Sequence, residues 1–366
     1  MPSLKKIMVQ DFRNIAFQEI AFSPNVNCIS GNNGEGKTNL LDAIYFLSMT
    51  KSAFPAPDRA SFRYGTDGFA IGGTYAMENG TDSRFSIKVS GGEKRLVRDD
   101  KPCARLGEHI GTLPVVMVSP ADISLVSDSG EERRRLSNAV LSQMDAEYLA
   151  AVQAYNRLLA QRNRLLKEAV PDAGLLEVLD VRLDAPAAKV YESRRQWCES
   201  LRPLVAEYYR LISGGRESVS IDYRSDLADG MPLSALLGAR RDKDLVLHYT
   251  GAGVQRDDFL FTMDGHPIRV AGSQGQQKSF LVALKFAQYE LMKRAYGFAP
   301  MLLLDDVFDK LDLERIANLI GMVAGQDFGQ IFITDTDKNR LQGIVDRITA
   351  NRAYFETAGG CFKQVE

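Results

Sequence analysis

The stretch that most constrains this 366-residue sequence is Gly31-Asn32-Asn33-Gly34-Glu35-Gly36-Lys37-Thr38. It fills every fixed position of G-x-x-x-x-G-K-[ST], the phosphate-binding loop. Its context fits as well. Val26-Asn27-Cys28-Ile29-Ser30 before it is a short, half-apolar run that predicts a strand. After it, Leu40, Leu41, Ile44, Tyr45 and Leu47 recur at helical spacing. Glycine is needed because the backbone must close around a phosphate with no Cβ in the way. Successive N–H groups then face the anion, aided by the dipole of the helix that starts there. Gly31 to Thr38, with Asn39 as an extension, is therefore the expected ATP-binding segment. Lys37 should reach the β- and γ-phosphates, and Thr38 a Mg²⁺ ion.

The second half of such a site is an acidic strand. Met301-Leu302-Leu303-Leu304-Asp305-Asp306 is four apolar residues followed by two acids, the pattern of a buried parallel strand ending in carboxylates. Asp305 is expected to hold Mg²⁺ and Asp306 to be the catalytic residue that polarises water. Ser273-Gln274-Gly275-Gln276-Gln277 stands just before an apolar-striped run, 278–296. Ser273 is a natural N-cap and Gly275 permits close backbone approach. Placed shortly before an acidic strand, this resembles the signature motif of ABC-class ATPases. That resemblance implies that Ser273, Gly275 and Gln276 of one subunit meet the γ-phosphate held by another. Phe308-Asp309-Lys310-Leu311-Asp312 falls where the class has a dimer-contacting loop, with Asp309 and Asp312 as its acids. Residues 330–336 read as a further strand, ending where the class usually has a phosphate-sensing histidine. Thr334 is the expected occupant of that position, with Asp335 and Thr336 as alternatives.

Patterning between these motifs gives the organisation. Residues 3–22 alternate as a hairpin around Arg13-Asn14, and 69–100 alternate in short runs with turn signals, an antiparallel meander. From Glu131 the period becomes helical and persists to about Ser213, interrupted at Pro171-Asp172-Ala173-Gly174. Strand patterns return at 218–223 and 259–263. The expected fold is α/β: an ABC-type ATPase head, with a mixed sheet and a phosphate-loop α/β core, carrying an inserted all-helical lobe. The expected boundaries are 1–130 for the first part of the head, 131–213 for the helical lobe, and 214–366 for the rest of the head with signature and acidic strand. The interval from Lys37 to Asp305 is far longer than a transporter ATPase normally has, and the helical insertion accounts for it, as in ATPases that act on DNA.

Composition narrows the partners. Hydrophobic residues at 45% and charged residues at 25% suit a soluble globular protein. A net charge of −2 means that any nucleic-acid surface must be a local patch. The local basic candidates are Arg133, Arg134, Arg135, Arg194 and Arg195, with Arg157, Arg162, Arg164, Lys167, Arg240 and Arg241 around them. Such groups neutralise phosphates without reading bases. Cys28, Cys103, Cys198 and Cys361 are far apart and form no C-x-x-C, which speaks against a metal knuckle and suits a reducing cytosol. No apolar run approaches the length of a bilayer span and no charged-then-apolar leader is seen, so no membrane association is expected.

Taken together, Asp11-Phe12-Arg13-Asn14, the phosphate loop with Asn39, the medium-length helical insertion, 272–278 and 302–312 resemble the RecF family of bacterial DNA-repair ATPases, over nearly the whole chain. The resemblance implies a Rad50-like head, weak ATP hydrolysis, and ATP-dependent homodimerisation on double-stranded DNA and single-strand/double-strand junctions. It also implies work with RecR, and indirectly RecO, in loading RecA during DNA replication, repair and the SOS response, in the cytoplasm. Two segments depart from the family pattern. Gly-Pro-His-Arg-Asp-Asp is replaced by 252–258, without Pro and His, and Arg-Arg-x-Phe-Leu-Asp by Arg134-Arg135-Leu136-Ser137-Asn138. Two rival readings remain: a Rad50-like or overcoming-lysogeny-type head with another substrate, and a module that uses ATP only to dimerise.

Overall fold

Alternation builds the first sheet. In β1 (Ser3–Phe12), Leu4, Ile7, Val9 and Phe12 are buried while Lys5, Lys6 and Gln10 face water. A register shift between Leu4 and Lys6 absorbs the break in strict alternation. The turn Arg13-Asn14 returns the chain as β2 (Ile15–Ala21). β3 (Val26–Ser30) and α1 (Lys37–Met49) then flank the glycine loop. β4 (Gly68–Ala76), β5 (Asp82–Ser90), β6 (Glu93–Arg98) and β7 (Lys101–Pro102) form the expected meander, and β8 (Val115–Val118) is fully buried. The computed structural model describes residues 2–307, 328–346 and 349–365, so the expected dimer loop with Asp309 and Asp312 lies outside the described residues.

Next comes the short α2 (Ser124–Ser127), followed by α3 (Gly130–Met144), α4 (Ala146–Leu165) and α5 (Ala173–Ser213), which carry the helical run read from the sequence. Asp145 caps α4 by accepting from the Glu147 and Tyr148 N–H groups. Then follow β9 (Val219–Arg224), α6 (Leu233–Ala239), α7 (Arg241–Leu247), β10 (Asp258–Met263), β11 (His266–Pro267), α8 (Ile268–Ala271) and α9 (Gln274–Tyr296). The chain closes with β12 (Met301–Asp305), β13 (Ile331–Asp335), α10 (Lys338–Val345), β14 (Arg352–Ala358) and β15 (Cys361–Val365).

These elements form two units, one of residues 1–122, 211–214 and 281–366, the other of 123–210 and 215–280. The first holds two six-stranded sheets. One is antiparallel, of order β2-β1-β4-β5-β6-β7; the other has order β15-β14-β3-β13-β12-β8, parallel except for the β14–β15 hairpin. α1 touches strands of both sheets and is buried on nearly every side. Its burial therefore extends beyond the apolar residues that predicted it and takes in Lys37, Asp42 and Ser48.

The second unit corrects the expected boundaries. It extends beyond 131–213 and is not all helical, because the three-stranded sheet β11-β10-β9 belongs to it. The signature segment around Ser273 also counts with this unit rather than with the C-terminal part of the head. Aromatic packing is the physical reason. Trp197 of α5 meets Phe259 of β10 edge-on at 5.3 Å, and Tyr223 of β9 stacks on Phe259 at 5.1 Å. The small sheet therefore buries its apolar face under α5 rather than elsewhere.

Charge, too, lies inside this unit. Arg162 is fully buried, donating to Asp180 at 2.6 Å, Asp244 at 2.7 Å and Thr250 at 2.9 Å. Arg194, also buried, donates to Asp257 and the Val254 carbonyl, both at 2.7 Å, and to Asn138 at 3.1 Å. The departing segments 134–138 and 252–258 thus meet around one guanidinium. Removing one partner of a buried pair strands the other charge. Arg162→Ala should therefore cost about 3–5 kcal/mol of stability in denaturant unfolding. A loss below about 0.5 kcal/mol, the range of ordinary surface changes, would show that the network carries no stability.

Candidate functional site

Parallel register assembles the site. In the first unit, Asp305 of β12 lies opposite Thr334 of β13, and Asp335 of β13 opposite Ser30 of β3. The carboxyl ends of the three strands therefore come level with the glycine loop, the usual ligand position in parallel sheets. Thr38, in the first turn of α1, donates to Asp305 Oδ2 at 2.8 Å. Thr334 donates to Asp305 Oδ1 at 2.7 Å and accepts from the Asp306 N–H at 3.0 Å. Burial pushes the Asp305 carboxyl above the ordinary carboxylate range, while the Thr334 and Thr38 hydroxyls pull the other way. Asp306 sits at φ 45°, a left-handed conformation that costs a residue with a Cβ. The buried Lys37 donates to the Gly31 carbonyl at 2.7 Å and the Asn32 carbonyl at 3.1 Å. A hydroxyl beside a carboxylate is the hard oxygen set that suits Mg²⁺.

Residues outside the loop shape it. Asn14, from the turn between β1 and β2, accepts from Asn39 Nδ2 at 2.8 Å. A Cβ on Gly36, which has φ +104°, would come within 2.7 Å of the Asn14 carboxamide, so only glycine closes the loop here. Arg13 donates to the buried Asp42 of α1 at 2.7 Å and to Ser52 at 3.1 Å. The turn at Arg13-Asn14 was legible in the alternation of residues 3–22; what each residue touches was not.

In the second unit, Ser273, Gly275 and Gln276 form a helix start of their own. The Ser273 N–H donates to Gln276 Oε1 at 2.7 Å, and the Gln276 N–H to Ser273 Oγ at 3.3 Å. This is a reciprocal capping box, S-x-x-Q. It occupies two of the orphan donors at the start of α9 and leaves those of Gln274 and Gly275 outside the box. Gln276 also donates to Glu217 at 2.7 Å, a partner that no local sequence pattern announces.

The arginine candidates divide. Arg194 and Arg162, expected at a DNA surface, are buried in ion pairs with Asp257 and with Asp180 and Asp244, and present no guanidinium to a backbone. The acids that claim them across the chain are invisible to a count of local charge. Arg133 binds Asp258 through two nitrogens, at 2.7 and 3.1 Å, and Arg134 donates to the Asp257 carbonyl at 2.7 Å. Arg135 pairs with Glu131 and Glu132, and Arg195 with Glu192 and Glu199, along their own helices. Such surface pairs are weak and leave both groups open to phosphate. Arg157, Arg164 and Lys167 on or just after α4 are exposed. No helix among the described residues is long and apolar enough to cross a membrane.

Known proteins resemble this chain. The model of the RecF/RecN/SMC N-terminal domain matches residues 3–59. The DNA replication and repair protein RecF of Parabacteroides distasonis is 41% identical over 363 residues, covering 99% of this chain and 99% of that protein. The protein of that name from Porphyromonas gingivalis is 40% identical over 358 residues, 98% of each. A solved structure of the recombination mediator protein RecF with ATP, in the RecFOR pathway, covers 100% of this chain and 98% of its own at a TM-score of 0.90 and 28% identity. An Smc head bound to the C-winged helix domain of ScpA covers 99% of this chain and 97% of its own at a TM-score of 0.57 and 14% identity, a likeness of fold alone.

Lys37 meets the two carbonyls with a compact ammonium, and a guanidinium is planar and larger. Lys37→Arg should weaken binding of a fluorescent ATP analogue by more than about tenfold, the worth of a charged hydrogen bond. Unchanged affinity would remove Lys37 from the phosphate site.

Proposed function

The chain belongs to the RecF family of DNA replication and repair proteins, and on that premise we propose that it is an ATP-driven switch on DNA. Two copies would close when each phosphate loop, Gly31 to Asn39, binds ATP that the other copy covers with Ser273, Gly275 and Gln276. Hydrolysis would then open them. The observation that carries this reading is Asp305, held by Thr38 on one oxygen and Thr334 on the other. It joins the phosphate loop to the acidic strand in one hydrogen-bonded unit. Mg²⁺, when bound by Thr38 and Asp305, would neutralise charge developing on the phosphates.

The chain's own residues divide the work. Lys37 binds the phosphates and Gly36 shapes their cradle. Asp306 orients water, and Thr334 fixes Asp306 through its N–H, occupying the place of the usual sensing histidine. Asp309 and Asp312, outside the described residues, would belong to the dimer contact. Exposed and surface-paired cations, Arg157, Arg164, Lys167, Arg135 and Arg195 among them, would hold double-stranded DNA or a junction through its phosphates. The partners would be RecR directly and RecO and RecA indirectly, in the cytoplasm.

The test is size by light scattering with ATP, with ADP and without nucleotide, each with and without duplex DNA. A dimer should form with ATP only. Ser273→Arg should bind ATP and stay monomeric; normal dimerisation of this variant would end the composite-site model.

Asp306→Asn keeps shape and loses charge, so hydrolysis should drop roughly a hundredfold while the ATP dimer persists. Thr334→Val, which deletes both hydroxyl bonds, should slow hydrolysis in the same assay, and Thr334→Ser should restore it. Wild-type turnover in Asp306→Asn and Thr334→Val would move catalysis elsewhere.

A further inference from the structure

The phosphate loop carries a contact that phosphate binding itself does not explain. Strand β14 runs parallel to β3, with Phe355 opposite Ile29 and Glu356 opposite Ser30. Where β3 ends, β14 therefore continues beside the loop, and the tip of its hairpin with β15 reaches Glu35. Three donors converge on that residue. Thr357 Oγ1 and the Gly360 N–H each donate to the Glu35 carbonyl at 3.0 Å, and the Gly359 N–H donates to the Glu35 carboxylate.

The approach is tight on every side. A Cβ on Gly31 would lie 2.7 Å from both the Thr357 methyl and its carbonyl oxygen. A Cβ on Gly360, at φ +78°, would lie 2.5 Å from the Asn14 carbonyl oxygen. Loop, hairpin tip and N-terminal turn thus fit only because glycine stands at the meeting points.

We propose that the tip of the β14–β15 hairpin is a working part of the nucleotide site, with Thr357 and Glu35 as positioning residues that hold the loop ready for phosphate. The geometry gives the reason. A trans peptide is planar, and its C=O and N–H point in opposite directions. Pinning the Glu35 carbonyl toward the hairpin turns the next N–H, that of Gly36, away from the hairpin. The hairpin thereby orients a donor of the anion cradle without touching the anion. A loop so held gives up less freedom when ATP arrives, which appears as affinity rather than as rate. The Glu35 carboxylate anchors the same peptide from the side-chain end, at a loop position where the motif asks for no particular residue.

This inference rests on the phosphate-loop reading, and one experiment separates the two. ATP binding, KM, kcat and the thermal midpoint without nucleotide are measured on the full chain for Thr357→Val, Thr357→Ser, Glu35→Ala and Lys37→Ala. Thr357→Val and Glu35→Ala should each raise Kd and KM for ATP about fivefold, the worth of one net hydrogen bond, and change kcat by less than about twofold. Thr357→Ser should return Kd to the parent value. If Lys37→Ala abolishes ATP binding while Thr357→Val and Glu35→Ala bind normally, the hairpin is only a sheet edge and the proposal is overturned. A loss of affinity that follows the thermal midpoint and is not recovered by Thr357→Ser overturns it as well. Normal ATP binding by Lys37→Ala would overturn the phosphate-loop reading and this proposal with it.

Discussion

The buried Asp305 carboxylate is the point on which the nucleotide site depends. A nearly water-free carboxylate must have its oxygens satisfied, or burial drives it to take a proton. Here one oxygen takes the Thr38 hydroxyl from the head of α1, and the other takes Thr334 from the adjacent strand. Satisfying one acid therefore ties the loop, β12 and β13 together. Parallel pairing makes this possible, because it places residues 305 and 334 side by side at the same end of the sheet. Thr334 also takes the Asp306 N–H, so the second acid inherits its direction from the first.

The same demand explains where the arginines went. A run such as Arg133-Arg134-Arg135 looks like a basic patch, yet Arg133 answers Asp258 and Arg134 the Asp257 carbonyl, more than a hundred residues along the chain. Arg194 and Arg162 are the extreme cases, buried with carboxylates from distant elements. Guanidinium suits this role because its planar fork meets several acceptors at once. The second unit is thus held by charge in its interior as well as by Trp197, Tyr223 and Phe259. Within that unit Asn138 accepts from Arg194, and Gln255 accepts from the Tyr155 hydroxyl.

Glycine placement follows one logic around the loop. Gly31 and Gly36 belong to the binding motif, and Gly360 does not, yet each stands where a Cβ would strike a neighbouring segment. The motif therefore records not only the needs of a phosphate but also those of Asn14 and Thr357, which pack against the loop. The cost of such close approach is backbone freedom, and it is largest at glycine, because the unfolded chain samples both signs of φ there.

Local order along the chain determined the phosphate loop, the acidic strand, the meander and the long helical run, since each is written in residues a few positions apart and obeys a period or a fixed spacing. It also determined Ser273 as the N-cap of α9. Only the tertiary structure decided which acid each arginine would meet, that the small sheet β11-β10-β9 would join the helices in one unit, and that Glu217 would hold Gln276. It alone decided, too, that Asn14 and Thr357 would close on the glycine loop from opposite ends of the sequence. These contacts join segments tens to hundreds of residues apart, and their energy comes from satisfying buried polar groups and filling space, neither of which has a period along the chain.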